Sequence, residues 1–147
     1  MEHRSGLPVD VEVTEANGHA EREAAFTMLD RHPSAERRTV AADKAYDTAD
    51  FVEGCRARSV TPHVAMNITD RRDSAIDHRT SRHDSYLASQ RIRKRVEEGF
   101  GWGKDGRPMR KMKVLGLAKV AFVTTMTVSC YTLLRVAKLL APAPATS

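Results

Sequence analysis

Residues 38–66 read RTVAADKAYDTADFVEGCRARSVTPHVAM, and this stretch decides the fold class. Arg38 to Ala42 is a short β-prone run that ends on Asp43. Lys44, Ala45, Tyr46 and Asp47 follow, and Thr48 caps the next helix, with Asp47 as the competing choice. That helix runs from about Ala49 to Arg58 and carries Phe51, Val52 and Cys55 inward. Val60 to Met66 reads as a second strand, and Pro62 puts it near a start or an edge. Strand, helix, strand in close succession is a mixed α/β pattern.

The same reading extends outward. Leu7 to Thr14, LPVDVEVT, alternates around Val9, Val11 and Val13, as a strand with one buried face does. Thr14, Asn17 or a neighbour caps a helix over His19 to Arg31, with Ala24, Ala25, Met28 and Leu29 on its inner side. His32-Pro33-Ser34 stops it, because proline cannot continue the hydrogen-bond ladder. Asn67 to Ser85 is polar, crowded with charge and without period, and is expected to be a long loop. Tyr86 to Phe100 or Lys104 is expected to be one helix, weakened at its end by the glycines of GFGWG. Asp105 to Pro108 reads as a turn and Met109 to Lys113 as a basic linker. Leu115 to Leu140 reads as one long apolar helix with a charged edge. Residues 1–140 are thus expected to form the folded portion, and 141–147 (APAPATS ends the chain) a disordered tail.

Composition narrows the class. The 147 residues are 41% apolar and 29% charged, with a formal charge of +5, which fits a soluble globular domain. The modest basic excess favours an anionic partner such as nucleic acid, but also fits ribosomal, membrane-surface or plainly solvated proteins. Cys55 and Cys130 form no close-spaced motif, as in a reduced intracellular protein. MEHRSGLPVD has no apolar core of a signal peptide. The most hydrophobic run, Val120 to Leu134, falls short of the roughly 20 apolar residues a bilayer demands. It is expected to be a buried core helix, with no membrane partner.

The candidate chemistry centres on QRIRKRVEEGFGWGK, residues 90–104. On one continuous helix Gln90, Arg93, Glu97 and Lys104 share a narrow face, so one carboxylate lies among cations. Asp43, at the end of a strand, stands where α/β proteins place ligands. Each has a plainer reading. An aspartate at a strand end often caps a turn, and a glutamate in a charged helix is usually solvated or paired with Arg93. Together, an acidic strand end, a flanked glutamate and a basic chain suit two-metal phosphoryl transfer, in which carboxylates hold Mg²⁺ ions about 4 Å apart. Arg91, Arg93, Lys94 and Arg95 form one basic cluster, and Arg107, Arg110, Lys111 and Lys113 another. His78, His83 and Asp84 match no zinc spacing, and solvated loop is the favoured reading for them.

AADKAYDTADFV followed by RIRKRVEEGFGWGK resembles the C-terminal half of a bacterial insertion-sequence transposase of the DDE type. That family has a strand ending in a D-x-G-Y-D-like motif and a helix with a Tyr-x2-Arg-x3-Glu-x6-Lys signature. Arg93, Glu97 and Lys104 match the last three places of the signature, and Asp43 matches the second catalytic aspartate. Gln90 holds the tyrosine place, and Ala45 stands where glycine is common. The resemblance implies that Asp43 and Glu97 are catalytic metal ligands for Mg²⁺ or Mn²⁺, and that Arg93, Lys104, Lys44 and Arg91 contact phosphate or DNA. It implies an incomplete ribonuclease-H-like fold, a mixed sheet with flanking helices whose N-terminal central strand, with the first catalytic aspartate, is missing. The partners implied are transposon-end DNA and a full-length transposase or an upstream-encoded half, in the bacterial cytoplasm at the nucleoid. The chain alone is then expected to be inactive. A non-catalytic basic DNA-binding fragment and a decayed remnant are the competing expectations.

Overall fold

The computed structural model describes residues 1–69, 72–105 and 109–141. The chain divides into two compact units, Thr14–Lys94 on the one hand and Met1–Val13 with Arg95–Ser147 on the other.

In the unit Thr14–Lys94, β1 (Arg38–Ala42) and β2 (Val60–Val64) run parallel, in register from Arg38 opposite Val60 to Ala42 opposite Val64. Parallel neighbours need a crossover, and α2 (Ala49–Ala57) supplies it. Thr48 caps α2, its hydroxyl accepting from the Phe51 N–H at 3.3 Å. Phe51, Val52 and Cys55 are all buried, as the helical spacing requires. They form the core with Val60, Val64, Ile76 and Tyr86. Ahead of β1, α1 (Ala20–Arg31) starts just after Asn17, whose side-chain oxygen accepts from the His19 N–H at 2.9 Å, and stops before Pro33. Phe26 of α1 stacks on Phe51 with ring centroids 5.2 Å apart. Arg58 lies 4.5 Å over the Phe26 ring and grips Asp30 through two bonds of 2.7 and 3.0 Å.

The outer side of β2 is blocked. The Ala65 N–H donates to the Ala42 carbonyl at 3.0 Å. Residues of that parity therefore turn their peptide groups toward β1, and Pro62 and Val64 turn theirs away. Pro62 has no N–H to offer, and the Val64 carbonyl accepts from the Tyr86 hydroxyl at 2.8 Å. Proline at an outward-facing position agrees with the edge expected from sequence.

The segment expected to be one loop, residues 67–85, is partly ordered. It contains a bridge between Thr69 and Arg72, and a short helix α3 (His78–Ser81). Asp77 holds α3 in place, accepting from Arg56 at 2.9 Å and Arg79 at 2.8 Å. The Arg79 guanidinium, more than Arg56, keeps the Asp77 carboxyl below its ordinary range.

The helix expected over 86–104 is two helices, α4 (Asp84–Ile92) and α5 (Arg95–Lys104), with a turn at Arg93 and Lys94. No glycine or proline sits at the break. Four cations fall within five residues, 91–95, and Arg91 and Arg95 are like charges one turn apart, which weakens a helix there.

In the other unit, residues 7–13 form no strand. Alternation gives a strand its faces but not its partner, and none pairs with this segment among the described residues. Just before it the chain is closed into a turn. Glu2 accepts from the Ser5 N–H at 2.6 Å and the Arg4 N–H at 2.8 Å. These bonds, the Ser5 hydroxyl first, push the Glu2 carboxyl down to about 2. Arg135 reaches the Ser5 carbonyl at 2.7 Å.

The last helix, α6, runs Leu117–Leu140, 24 residues. It packs on α5 through Trp102 and Tyr131, ring centroids 5.6 Å apart, and through the two glycines Gly99 and Gly103. A Cβ at Gly103 would meet the Met109 sulfur at 2.6 Å and the Thr127 methyl at an ordinary contact distance of 3.5 Å, so the space above this residue is filled by Met109. The expected buried core helix is not found. Only Thr124 and Thr127 of α6 are buried, whereas Phe122, Met126, Leu133 and Leu140 are exposed. Among the described residues of its unit, α5 and the turn at Glu2–Gly6 contact α6. With a mean hydropathy of 1.4, α6 is long and apolar enough to cross a membrane by length and composition alone, which the shorter run Val120–Leu134 is not. The basic linker 109–113 has no regular structure, as expected. The turn at 105–108 is described only at Asp105, and the tail only at Ala141; the rest lies outside the described residues.

Candidate catalytic carboxylates and basic residues

Asp43 stands at the carboxyl end of β1, exposed. It caps a 3₁₀ turn, Lys44–Tyr46, accepting from the Ala45 N–H at 2.8 Å through one of its two carboxylate oxygens. The turn-capping reading is therefore correct, and one exposed carboxylate also sits where parallel sheets meet ligands. Lys44 is exposed beside it. Tyr46 turns back onto Phe51 with ring centroids 5.0 Å apart, and burial pushes its phenol up.

Asp47 does something the sequence did not disclose. It is not the cap of α2 but is fully buried. Its carboxylate accepts from the Asn67 N–H at 2.6 Å and the Ala75 N–H at 2.8 Å, and its carbonyl accepts from Arg72. This one side chain gathers both ends of the segment after β2 beneath the turn that presents Asp43. The signal available was a second aspartate four residues after the first, followed by a threonine able to take over the capping.

Gln90, Arg91 and Arg93 belong to α4 and its end. Gln90 donates to the His63 carbonyl at 2.7 Å, and Ser89 contacts the His63 ring at 2.7 Å. Gln90 and Ser89 thus fasten α4 to β2. Arg91 is exposed. Arg93 ends α4, its backbone N–H donating to Ser89 at 2.9 Å. Its side chain is half-buried and its Nε is enclosed without a hydrogen-bond partner. Enclosed donors are normally satisfied, which makes this one an exception among the described residues.

Glu97 and Lys104 lie in the first and last turns of α5, both exposed. Seven residues apart, they share the side of α5 roughly opposite Gly99 and Gly103. The four-residue stripe expected on one helix is therefore divided, Gln90 and Arg93 on α4 and its cap, Glu97 and Lys104 on α5. Asp43 and Glu97 belong to different compact units.

Carboxylate oxygens suit Mg²⁺ or Mn²⁺ in kind. In number these residues fall short, because no three His, Cys, Asp or Glu side chains converge among the described residues. His78, His83 and Asp84 are exposed and form no such group. Cys55 is buried, which pushes its thiol up to about 11 and makes it a poor nucleophile.

No curated protein and no solved structure matches the chain. A family model described as the transposase DDE domain matches residues 1–133. That span includes Asp43, Glu97 and all the basic residues discussed above, and the chain belongs to the transposase DDE domain family.

Proposed function

We propose that these residues form the C-terminal portion of a DDE catalytic domain, over 1–140, acting in DNA strand cleavage and transfer. The observation that carries the reading is the exposed carboxylate of Asp43 at the carboxyl end of β1, in a chain matched by the family model over most of its length. Asp43 and Glu97 offer two carboxylates toward divalent metal, which in such chemistry activates a water or 3′-hydroxyl and stabilises the leaving oxygen. Arg93 and Lys104 contact the DNA backbone, aided by Lys44 and Arg91. The signature spacing Arg93–Glu97–Lys104 supports the Tyr-Arg-Glu-Lys subgroup, with Gln90 in the tyrosine place. Two parallel strands with flanking helices fit part of a ribonuclease-H-like sheet.

In this reading an upstream-encoded half supplies the third carboxylate. The protein acts on transposon-end DNA in the cytoplasm, with a full-length transposase or an upstream-encoded half as its partner. The test is cleavage of transposon-end DNA with Mg²⁺ or Mn²⁺, by the chain alone and after adding the upstream half. The chain alone is expected to be inactive. Activity restored by the added half and abolished by Glu97→Gln or Asp43→Asn supports the reading. Restored activity that survives both substitutions overturns the site assignment.

The absence of a three-ligand group among the described residues favours a second reading, a non-catalytic DNA-binding fragment. It predicts salt-sensitive DNA binding that is indifferent to chelator and to Asp43→Ala.

A further inference from the structure

The amino ends of the two strands carry a cleft that the carboxylate chemistry does not use. It measures about 680 Å³ and lies wholly within the unit Thr14–Lys94. Val60, Pro62 and His63 of β2 line it, as do α3 and the start of α4. Asp43 is at the other end of β1. Arg37 precedes that strand and Asp43 follows it, about 20 Å apart at the rise of an extended chain.

Three arginines from three separate places line the cleft: Arg37 ahead of β1, Arg56 in the last turn of α2, and Arg79 in α3. Each is held by a neighbour. Arg37 donates through Nε to the Thr61 hydroxyl at 3.1 Å. Asp77 accepts from Arg56 through Oδ1 at 2.9 Å and from Arg79 through Oδ2 at 2.8 Å. The buried Thr80 hydroxyl also accepts from Arg56, at 3.5 Å. These bonds orient the guanidinium groups and leave donors over. The Arg37 bond uses neither terminal nitrogen, and the Arg56 bonds use neither Nε nor Nη1. Asp77 sets one negative charge against two positive ones. Glu36 is the acidic residue in the wall, so the positive charge of the cleft exceeds the negative.

We infer that this cleft is an anion site, remote from Asp43, which binds the phosphate of a nucleotide, either one unit of a DNA strand or a free nucleotide. The inference does not rest on metal binding by Asp43 and Glu97.

The chemistry of the wall favours phosphate over the carboxylate of an acidic peptide. A carboxylate suits a single guanidinium fork, whereas a tetrahedral phosphate presents oxygens to donors arriving from several sides. The Thr61 hydroxyl, having accepted from Arg37, still has its own hydrogen to donate. Thr39 and Ser85 add further hydroxyls, and such groups are common partners of phosphate oxygens. The cleft also has the size of sites that take a small organic ligand, which leaves room for the sugar and base.

The test titrates the nitrogen-labelled full chain at low salt, with chelator present, and follows amide shifts by NMR. The probes are deoxyadenosine monophosphate, a short oligothymidylate and a glutamate-rich peptide. The expected result is that the nucleotide shifts the amides of Thr61, Thr80 and Ser85. Arg37→Gln combined with Arg79→Gln should weaken that binding by about tenfold or more, the worth of one hydrogen bond to a charged group. Both side chains are exposed, so helix content should not change. If the double variant does not fold, Arg37→Gln alone provides the comparison and should weaken binding in the same direction. Displacement of the nucleotide by oligothymidylate identifies a DNA strand as the source of the phosphate, and a nucleotide that stays bound identifies the free form. Silent cleft amides with both nucleotide probes overturn the inference, and so does an affinity unchanged by the substitutions. A peptide that binds there more tightly than the nucleotide overturns the choice of ligand. Cleavage is not the readout, so failure of the carboxylate site and failure of this cleft are told apart.

Discussion

Replacing Asp47 should damage the unit Thr14–Lys94 more than replacing any carboxylate on its surface. The Asp47 carboxylate has no solvent exposure and takes two backbone N–H bonds, from Asn67 at 2.6 Å and Ala75 at 2.8 Å. A hydrogen bond to a charged group contributes about 1.5–3 kcal/mol, and a buried donor left without a partner costs about 1–3 kcal/mol. Asp47→Ala strands both donors, so the loss is about 3–5 kcal/mol. Asp47→Asn keeps one acceptor and turns an amide N–H₂ toward the other donor, for about half that loss. With a urea slope of about 1–3 kcal/mol per molar, the alanine variant's midpoint falls by at least about 1 M. The probe should be the near-ultraviolet dichroism of Tyr46 and Tyr86, because Trp102 belongs to the other compact unit. Amide exchange at Asn67 and Ala75 supplies an independent reading and should quicken about a hundredfold for a loss near 3 kcal/mol. An alanine variant with an unchanged midpoint and both amides still protected would refute the assignment of Asp47 as the anchor of this segment.

Two other outcomes follow from packing and titration. A Cβ at Gly54 would sit 2.8 Å from Cε1 of Phe26, a ring already stacked on Phe51. Gly54→Ala should therefore lower stability by about 1–2 kcal/mol despite its better helix propensity, measurable by urea denaturation; a stabilised variant would show that the ring moves aside freely. Because burial raises the Cys55 thiol to about 11, the folded protein holds that proton longer than the unfolded chain, whose thiol titrates near 8.5. The associated stability is complete below about pH 8.5 and declines as pH rises toward 11. Cys55→Ser should flatten that decline, and at pH 8 a disulfide reagent should label Cys130 while leaving Cys55 unmodified until urea unfolds the protein.

The α/β class was legible because its signals are local. The runs around Val40 and Val64, the cap at Thr48 and the inward spacing of Phe51, Val52 and Cys55 each depend on a few neighbouring residues. The stop at Pro33 has the same local origin. What escaped depends on partners distant in sequence. Asp47 looks like one more turn residue until Asn67 and Ala75 are folded against it. Val9, Val11 and Val13 alternate as a strand does, yet pairing needs a neighbour that alternation cannot provide. Gly99 and Gly103 read as helix weakeners, but they make room for the side chains of Met1 and Met109. The division of the 90–104 stretch came from charge crowding at Arg91–Arg95, a small effect without a glycine or proline to mark it. Asp43 was found at its strand end from sequence, whereas the enclosed Nε of Arg93 and the anchoring of Gln90 to His63 required coordinates.

The two sides of the small sheet are not equivalent. Pro62 and the Tyr86–Val64 bond close off β2, while β1 pairs only with β2 among the described residues. The sheet therefore has a direction of growth. A strand arriving from another polypeptide finds the outward-facing peptide groups of Thr39 and Ala41, and not those beside Val64. Productive completion and unwanted fibrous stacking would compete for that same border, so a proline placed at Ala41 should suppress both together.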